Sequence, residues 1–448
     1  MASNAAKVPI FRAVTKCGFS TQTAVKASQN LSRRTEVKTA VLANKLVIAS
    51  VDNNSPISTV TVLFRAGSRY EQHDSLGNTH ILRIAAGLTT KDSTQFGIIR
   101  NLQQIGASLS CQTDRETIAY TLHSTSDNLE TGLKFLGDVA SKQVFKPWEL
   151  SDNIPRLKYE LASLSPYAQL LDLLHRAAYR TGLGNSLFCP DYLVGSHSTE
   201  SLQHYVKNLF TTNHAAVVGV GVDHGDLLCF AQNLALESGA GQVESASRYS
   251  GGDVRRDTAE SLAHVAVAVE GTSLKNTKEA LAFAVLQYAL GVGSYAKWGS
   301  SASPLTRAVG SAVGSDPFAV TAFNASYTDS GLFGFVSSSP GNVARQVVEA
   351  AVKQLRSGSL PSADIARGKA QLKAAILFNQ ESNSTLAEDI GTQAVLLGSV
   401  LSGPAAVSAV NSITDAEVNA AANKVKSGKL SVAAIGKLAH VPYSDQLT

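Results

Sequence analysis

The chain has no apolar run approaching the ~18 residues that a membrane-crossing helix requires, and its longest apolar stretches, such as "AAVVGVGV", fit a buried strand. That excludes a helical membrane span. It has no C-x-x-C either: Cys17, Cys111, Cys189 and Cys229 are scattered, which argues against a zinc ribbon or a redox pair. Loss of an N-terminal leader would leave three thiols, an odd set suited to a reducing compartment without structural disulfides. Its lysines and arginines form no stripe interleaved with aromatics, and the net charge of +4 is small, so the footprint of a nucleic-acid partner is missing. The most telling absence is local. No acidic residue precedes Glu36, whereas Lys7, Arg12, Lys16, Lys26, Arg33 and Arg34 are basic and Ser, Thr and Ala fill the gaps. Residues 1–35 are therefore expected to be a mitochondrial transit peptide and flexible leader, cleaved between residues 14 and 35.

What is present is ordinary globular composition, 44% hydrophobic and 17% charged, over 448 residues, enough for two or more domains. The clearest organising signal is a repeat. "QTDRETIAYTLHSTSDNLETGLKFLGDV" matches "SYTDSGLFGFVSSSPGNVARQVVEAAVKQL" with Asp114 on Asp329, and Leu129, Leu133, Leu136 and Ala140 on Ala344, Val348, Ala351 and Leu355. In each copy an alternating stretch (Ile118, Tyr120, Leu122; Phe333, Phe335) reads as a strand, and the apolar series after it as a helix docked by one face. At the same offset "TESLQHYVKNLFTTNHAAVVGVG" lies on "TDAEVNAAANKVKSGKLSVAAIG", with Thr199 and Thr414 as expected N-caps, each followed by acid in the first turn. Upstream, "VTVLFRAGS" meets "VAVAVEGTS" with Gly67 on Gly271 at a shorter offset, which gives the second copy an extra loop in "GVGSYAKWGSSAS".

The expected plan is a leader (1–35), a first half (36–240), a connector (241–256) and a second half (257–448). Strands and helices mix without strict βαβ alternation. The expected fold class is α+β, two homologous halves, each a mixed, mainly antiparallel sheet with helices on one face.

The duplicated architecture, the leader, "AGSRYEQHDSLGNTHILR" and "SASPLTRAV…AFNASYTDSGLFGF" together resemble the mitochondrial processing peptidase and pitrilysin family over essentially the whole chain after the leader. With "LGNSLFCPDYLVG" and "LQYALGVGSYAKWGSSAS", the chain looks most like that family's non-catalytic core subunits of ubiquinol–cytochrome c reductase, respiratory complex III. The resemblance implies a structural subunit without cofactor, paired with a homologous core protein and other complex III subunits, in a dimeric complex on the matrix side of the inner membrane. The alternative it leaves open is the presequence-binding, non-catalytic subunit of a processing peptidase.

Active relatives carry H-x-x-E-H on a helix: two imidazoles one turn apart bind zinc, the glutamate between them is the base, and a distant glutamate completes the metal shell. Here the segment is His80, Ile81, Leu82, Arg83, Ile84, and the distant carboxylate falls on Glu160. One His and one Glu cannot supply three protein ligands, and Arg83 puts a permanent cation where a proton acceptor belongs. Two arrangements are open: His80 as a hydrogen-bonded core histidine with Glu160 solvated, or an Arg83–Glu160 salt bridge. Hydrolysis through zinc is not expected.

The resemblance also puts Gly310 and Pro317 where active members hold substrate and oxyanion with Arg and Tyr. Gly219, Gly221 and Gly225 follow a strand, but G-x-G-x-x-x-G is not the dinucleotide fingerprint. In the glycine-rich stretch, Gly291, Gly293, Tyr295, Trp298 and Gly299 read equally as a partner or presequence loop with aromatic anchors or as a flexible connection.

Overall fold

The computed structural model describes residues 36–239, 246–293 and 303–447. The leader 1–35 and loop residues Tyr295, Trp298 and Gly299 lie outside the described residues.

The first half runs β1 (Val37–Val41), β2 (Val47–Val51), β3 (Ile57–Phe64), α1 (Asn78–Ile84), α2 (Gln95–Gln104), β4 (Ser108–Thr113), β5 (Ile118–Thr125), α3 (Leu129–Ser141), α4 (Pro147–Asp152), α5 (Ile154–Ala162), α6 (Pro166–Ala178), α7 (Thr199–Leu209), β6 (Ala215–Val220) and α8 (His224–Asn233). The second runs β7 (Asp253–Asp257), β8 (Leu262–Glu270), α9 (Thr277–Leu290), α10 (Pro304–Val313), β9 (Ala319–Ser326), β10 (Gly331–Pro340), α11 (Ala344–Leu355), α12 (Ser362–Asn379), α13 (Asn383–Leu397), α14 (Gly403–Ser412), α15 (Asp415–Ser427) and β11 (Ser431–Gly436).

The sheets have strand orders β1-β2-β6-β3-β5-β4 and β7-β11-β8-β10-β9. Leaving β1 aside, the two orders are the same sequence of repeat-equivalent strands. Each sheet has one parallel pair, β2 with β6 and β7 with β11, and is otherwise antiparallel. The α+β class with mixed, mainly antiparallel sheets is thus observed. The second sheet begins earlier than the sequence suggests. Asp253–Asp257, read as the end of the connector and the start of the second half, pairs with β11 as an edge strand.

On one face of each sheet the helices pack as their periodicity demands. Leu136 of α3, Leu202 of α7 and Leu227 of α8 close on Val60, Val62, Tyr120 and Leu122; Val348 of α11 and Val418 of α15 do the same on Phe333 and Phe335. Thr414 caps α15 in a capping box with Glu417. Thr199 is not a cap. The neighbouring Ser198 accepts from Ser201 N, and Thr199 Oγ1 donates to Phe145 O instead (2.6 Å), because two adjacent hydroxyls leave the helix start ambiguous by one residue.

The other face of each sheet is covered by a helix from the opposite half. Leu170, Leu174 and Ala178 of α6 pack on Ala266, Ala268, Ala433 and Ile435 of the second sheet. Ala387 and Ile390 of α13 pack on Ala49, Val51, Leu63 and Val220 of the first. This exchange explains why "AAVVGV" and, after Ser431, "VAAIG" are apolar without alternation: β6 and β11 are buried on both faces. Small side chains let the helices approach. A Cβ on Gly391 would sit 2.5 Å from Leu63 Cδ1.

The halves also meet at their equivalent hairpin turns. Gly67 lies so close to the 115–116 backbone that a Cβ there would be 2.3 Å from Arg115 C, and Gly271 is likewise pressed on Gly331 at 3.1 Å. Around these turns Arg69 donates to Glu116 (2.7 Å) and Asp329 (2.9 Å), and Thr328 N and Oγ1 donate to Glu116. His175 bonds Tyr327 Oη (2.6 Å) and Tyr179 donates to Gly331 O (2.9 Å). Buried charges are thus paired across the seam.

Candidate functional site

Helix α1 is short and its start is fixed by the string before it. Gly77 takes a left-handed conformation (φ 90°) that leads the chain into the helix. The buried Glu71 carboxyl accepts from Gly77 N (2.8 Å), Thr79 N (2.7 Å) and Thr79 Oγ1 (2.7 Å), satisfying N–H groups that the helix leaves unpaired. Burial raises Glu71 to about 7 against the pull of those hydrogen bonds. The site positions read from the sequence did not include Glu71; "SRYEQHDSLGNT" carries the signal, an acid a few residues ahead of a helix start.

His80 points into the interior, 1% exposed, with its ring edge-on to Phe188. Cys189 N donates to His80 Nδ1 (3.1 Å). Because a backbone amide can only donate, the imidazole proton resides on Nε2, which donates to Glu160 Oε2 (3.3 Å). Burial, helped by the Arg83 charge, lowers His80 to about 4, so it is neutral at physiological pH.

Glu160 reaches this point from α5. Arg83 Nη2 pairs with its Oε2, and Arg156 Nε donates to its Oε1 (3.2 Å). Burial opposes ionisation of Glu160, but the Arg83 hydrogen bond and charge, with His80 and Arg156, outweigh it and hold the carboxylate below its usual range. The two open arrangements therefore merge: His80 is a hydrogen-bonded core histidine, Arg83 forms the salt bridge, and Glu160 is paired rather than freely solvated, with its side chain 23% exposed.

Ile84 turns away into an apolar cluster with Leu157 and Cys189. Beside it lies a cavity of about 330 Å3 walled by Ile81, Leu88, Leu150 and Ile154. These residues do not fit a catalytic zinc. The one imidazole spends Nδ1 on a backbone amide and Nε2 on a carboxylate, that carboxylate is neutralised by two guanidiniums, and the second ligand position is hydrocarbon. Among the described residues no group of three or more His, Cys, Asp or Glu side chains is arranged to hold a metal.

The remaining candidates separate. Gly310 lies in α10 against Phe318, and Pro317 just before β9. Gly219 lies within β6, paired with Ser50 and Val60; Gly221 (φ 71°) in the following turn donates to Val51 O and accepts from Ser58 Oγ, and Gly225 N is taken by Asp223, the cap of α8. Those groups are occupied structurally. In the glycine-rich stretch, Gly291 and Gly293 lie along β9: Ala322 N donates to Gly291 O (2.9 Å) and Gly293 N to Thr321 Oγ1 (3.1 Å).

Comparison with known proteins was consistent with this geometry. Residues 47–191 match the model of insulinase (peptidase family M16), and residues 196–372 that of the peptidase M16 inactive domain. The chain is 39% identical over 413 residues to human "Cytochrome b-c1 complex subunit 2, mitochondrial", covering 91% of each. It is 29% identical to the Arabidopsis thaliana "Probable mitochondrial-processing peptidase subunit alpha-1, mitochondrial", covering 92% of this chain and 84% of that one. A chain of "Complex III2 from Candida albicans, Inz-5 bound" superposes with TM-score 0.82 at 19% identity, covering 92% of this chain and 99% of that chain, which shows a shared fold.

Proposed function

Because this chain belongs to the insulinase family, peptidase family M16, we propose that it is a non-catalytic core subunit of mitochondrial respiratory complex III, with His80, Arg83, Ile84 and Glu160 the remains of a lost zinc site. The observation that carries the non-catalytic part is the Arg83 guanidinium on Glu160 beside a buried Ile84. A base and a second metal ligand have become a cation and a hydrocarbon. The near end-to-end similarity to a cytochrome b-c1 subunit supports the assembly. Its role there is structural: two fused halves offer large surfaces to a homologous core protein and to membrane-embedded subunits, on the matrix side of the inner membrane. No helix among the described residues is long and apolar enough to cross a membrane, so attachment runs through those partners.

The second reading, presequence binding beside an active processing peptidase, is favoured by the similarity to an alpha subunit. Electrostatics oppose it. Arg83 and Arg156 both pair with Glu160, so the carboxylate that would draw in an Arg-rich leader at this point is already neutralised. Affinity purification of the tagged chain from mitochondria separates the two: cytochrome-bearing subunits in the particle are expected, and a soluble two-chain peptidase would overturn the assignment.

A further inference from the structure

A cavity of about 490 Å3 lies between the segment ahead of α1 and the loop after α6, bordering the seam at Arg69 but lined by none of His80, Arg83 and Glu160. Its size is that of a small-molecule pocket. Of the charged groups lining it, Arg69 is committed to Glu116 and Asp329, and the Glu71 carboxyl to Gly77 and Thr79. Arg176 and Arg180 are different. Arg176 lies in the last turn of α6 and Arg180 just beyond it, where the chain has turned extended at Tyr179; both are exposed, both line this cavity, and neither forms an ion pair among the described residues. Two like charges lining one cavity repel one another, and an anion placed between them is held by both.

The backbone beside them is shaped to come close. Gly182 is left-handed (φ 65°), and a Cβ on Gly184 would sit 1.6 Å from Tyr179 O, so the loop following Arg180 tolerates no side chain at that point. Tyr192, 71% exposed, lines the same cavity and offers an aromatic platform. Arg176 and Tyr192 also border the adjoining cavity of about 740 Å3, whose other charged groups, Lys158, Asp172, Asp191 and Arg256, do not line this one. We infer that the cavity beside the end of α6 is a phosphate-binding site, in which Arg176 and Arg180 clamp the oxyanion of a phosphomonoester or pyrophosphate and Tyr192 covers the rest of the ligand. Planar guanidiniums suit such oxyanions because each offers paired donors.

Calorimetric titration of the full-length protein with inorganic pyrophosphate tests the site. Saturable binding is expected, weakened about tenfold or more by Arg176→Ala and again by Arg180→Ala, since each removes a charge-assisted hydrogen bond. Lys158→Ala, in the adjoining cavity, is expected to leave the affinity unchanged, and thermal melts confirm that the variants fold. Sedimentation with phosphatidylcholine vesicles containing phosphatidic acid identifies the source of the phosphate: sedimentation lost in the double variant points to a lipid headgroup, pyrophosphate binding without it to a free phosphate. Absence of binding to both probes, equal binding by the double variant, or equal weakening by Lys158→Ala would overturn the inference. None of these results bears on membership of complex III.

Discussion

At the scale of single residues, two buried groups, Glu71 ahead of α1 and His80 within it, titrate in opposite senses. His80 is held near 4, below its usual 6.5, by burial and the Arg83 charge. Its contribution to stability is therefore present above pH 6.5 and is lost as pH falls toward 4, by roughly 2–4 kcal/mol. Glu71 is raised from 4.5 to about 7 by burial, so its contribution is present below 4.5 and lost as pH rises toward 7. Between pH 4.5 and 6.5 the two slopes offset one another. Urea denaturation of Glu71→Gln across this window is expected to show a steeper loss of stability on acidification than the unaltered chain; an unchanged slope would mean that Glu71 is ionised throughout. Arg83→Ala removes a partly buried ion pair and is expected to lower stability by about 0.5–1 kcal/mol. It also raises the His80 titration midpoint, readable from the imidazole proton shifts.

At the scale of elements, the exchanged helices are where sequence reasoning stopped. The apolar spacing in 129–140 and 344–355 located α3 and α11 and the faces they bury, because a helix on the near face follows its strand within a few residues. The repeat aligned β6 with β11 and Gly67 with Gly271 for the same local reason. Periodicity shows that α6 and α13 have an apolar stripe but not which sheet receives it, since their strands lie far away in the chain. Ser198 and Glu71 were obscured differently, by an adjacent hydroxyl and by a contact that exists only after the chain turns back on α1. Leu174, fully buried under the second sheet, should cost about 2–5 kcal/mol when changed to Ala. Gly391→Val should cost about 1–3 kcal/mol by forcing α13 off Leu63. For both, one denaturation transition is expected in urea, displaced as a whole; a split into two would show that the halves fold independently.

At the scale of the whole molecule, the halves depend on each other. Each keeps a sheet whose far face is apolar without the other half's helix, and parting them takes Arg69 from Asp329 and Thr328 from the buried Glu116. Expressed separately, residues 36–239 and 246–447 are expected to be insoluble or to bind hydrophobic dyes, and to recover a cooperative melt when coexpressed. A fold so interlocked survives the loss of its chemistry, and an ancestral hydrolase scaffold can persist as an assembly part. The central claim is that α1 and α5 now hold an ion pair where hydrolysis would need metal. Its most direct test is the zinc retained per chain after the purified full-length protein is equilibrated with zinc and desalted. The account predicts far less than one ion per chain, rising toward one only when Arg83→Glu and Ile84→His are introduced together. One tightly held zinc in the unaltered chain would contradict it.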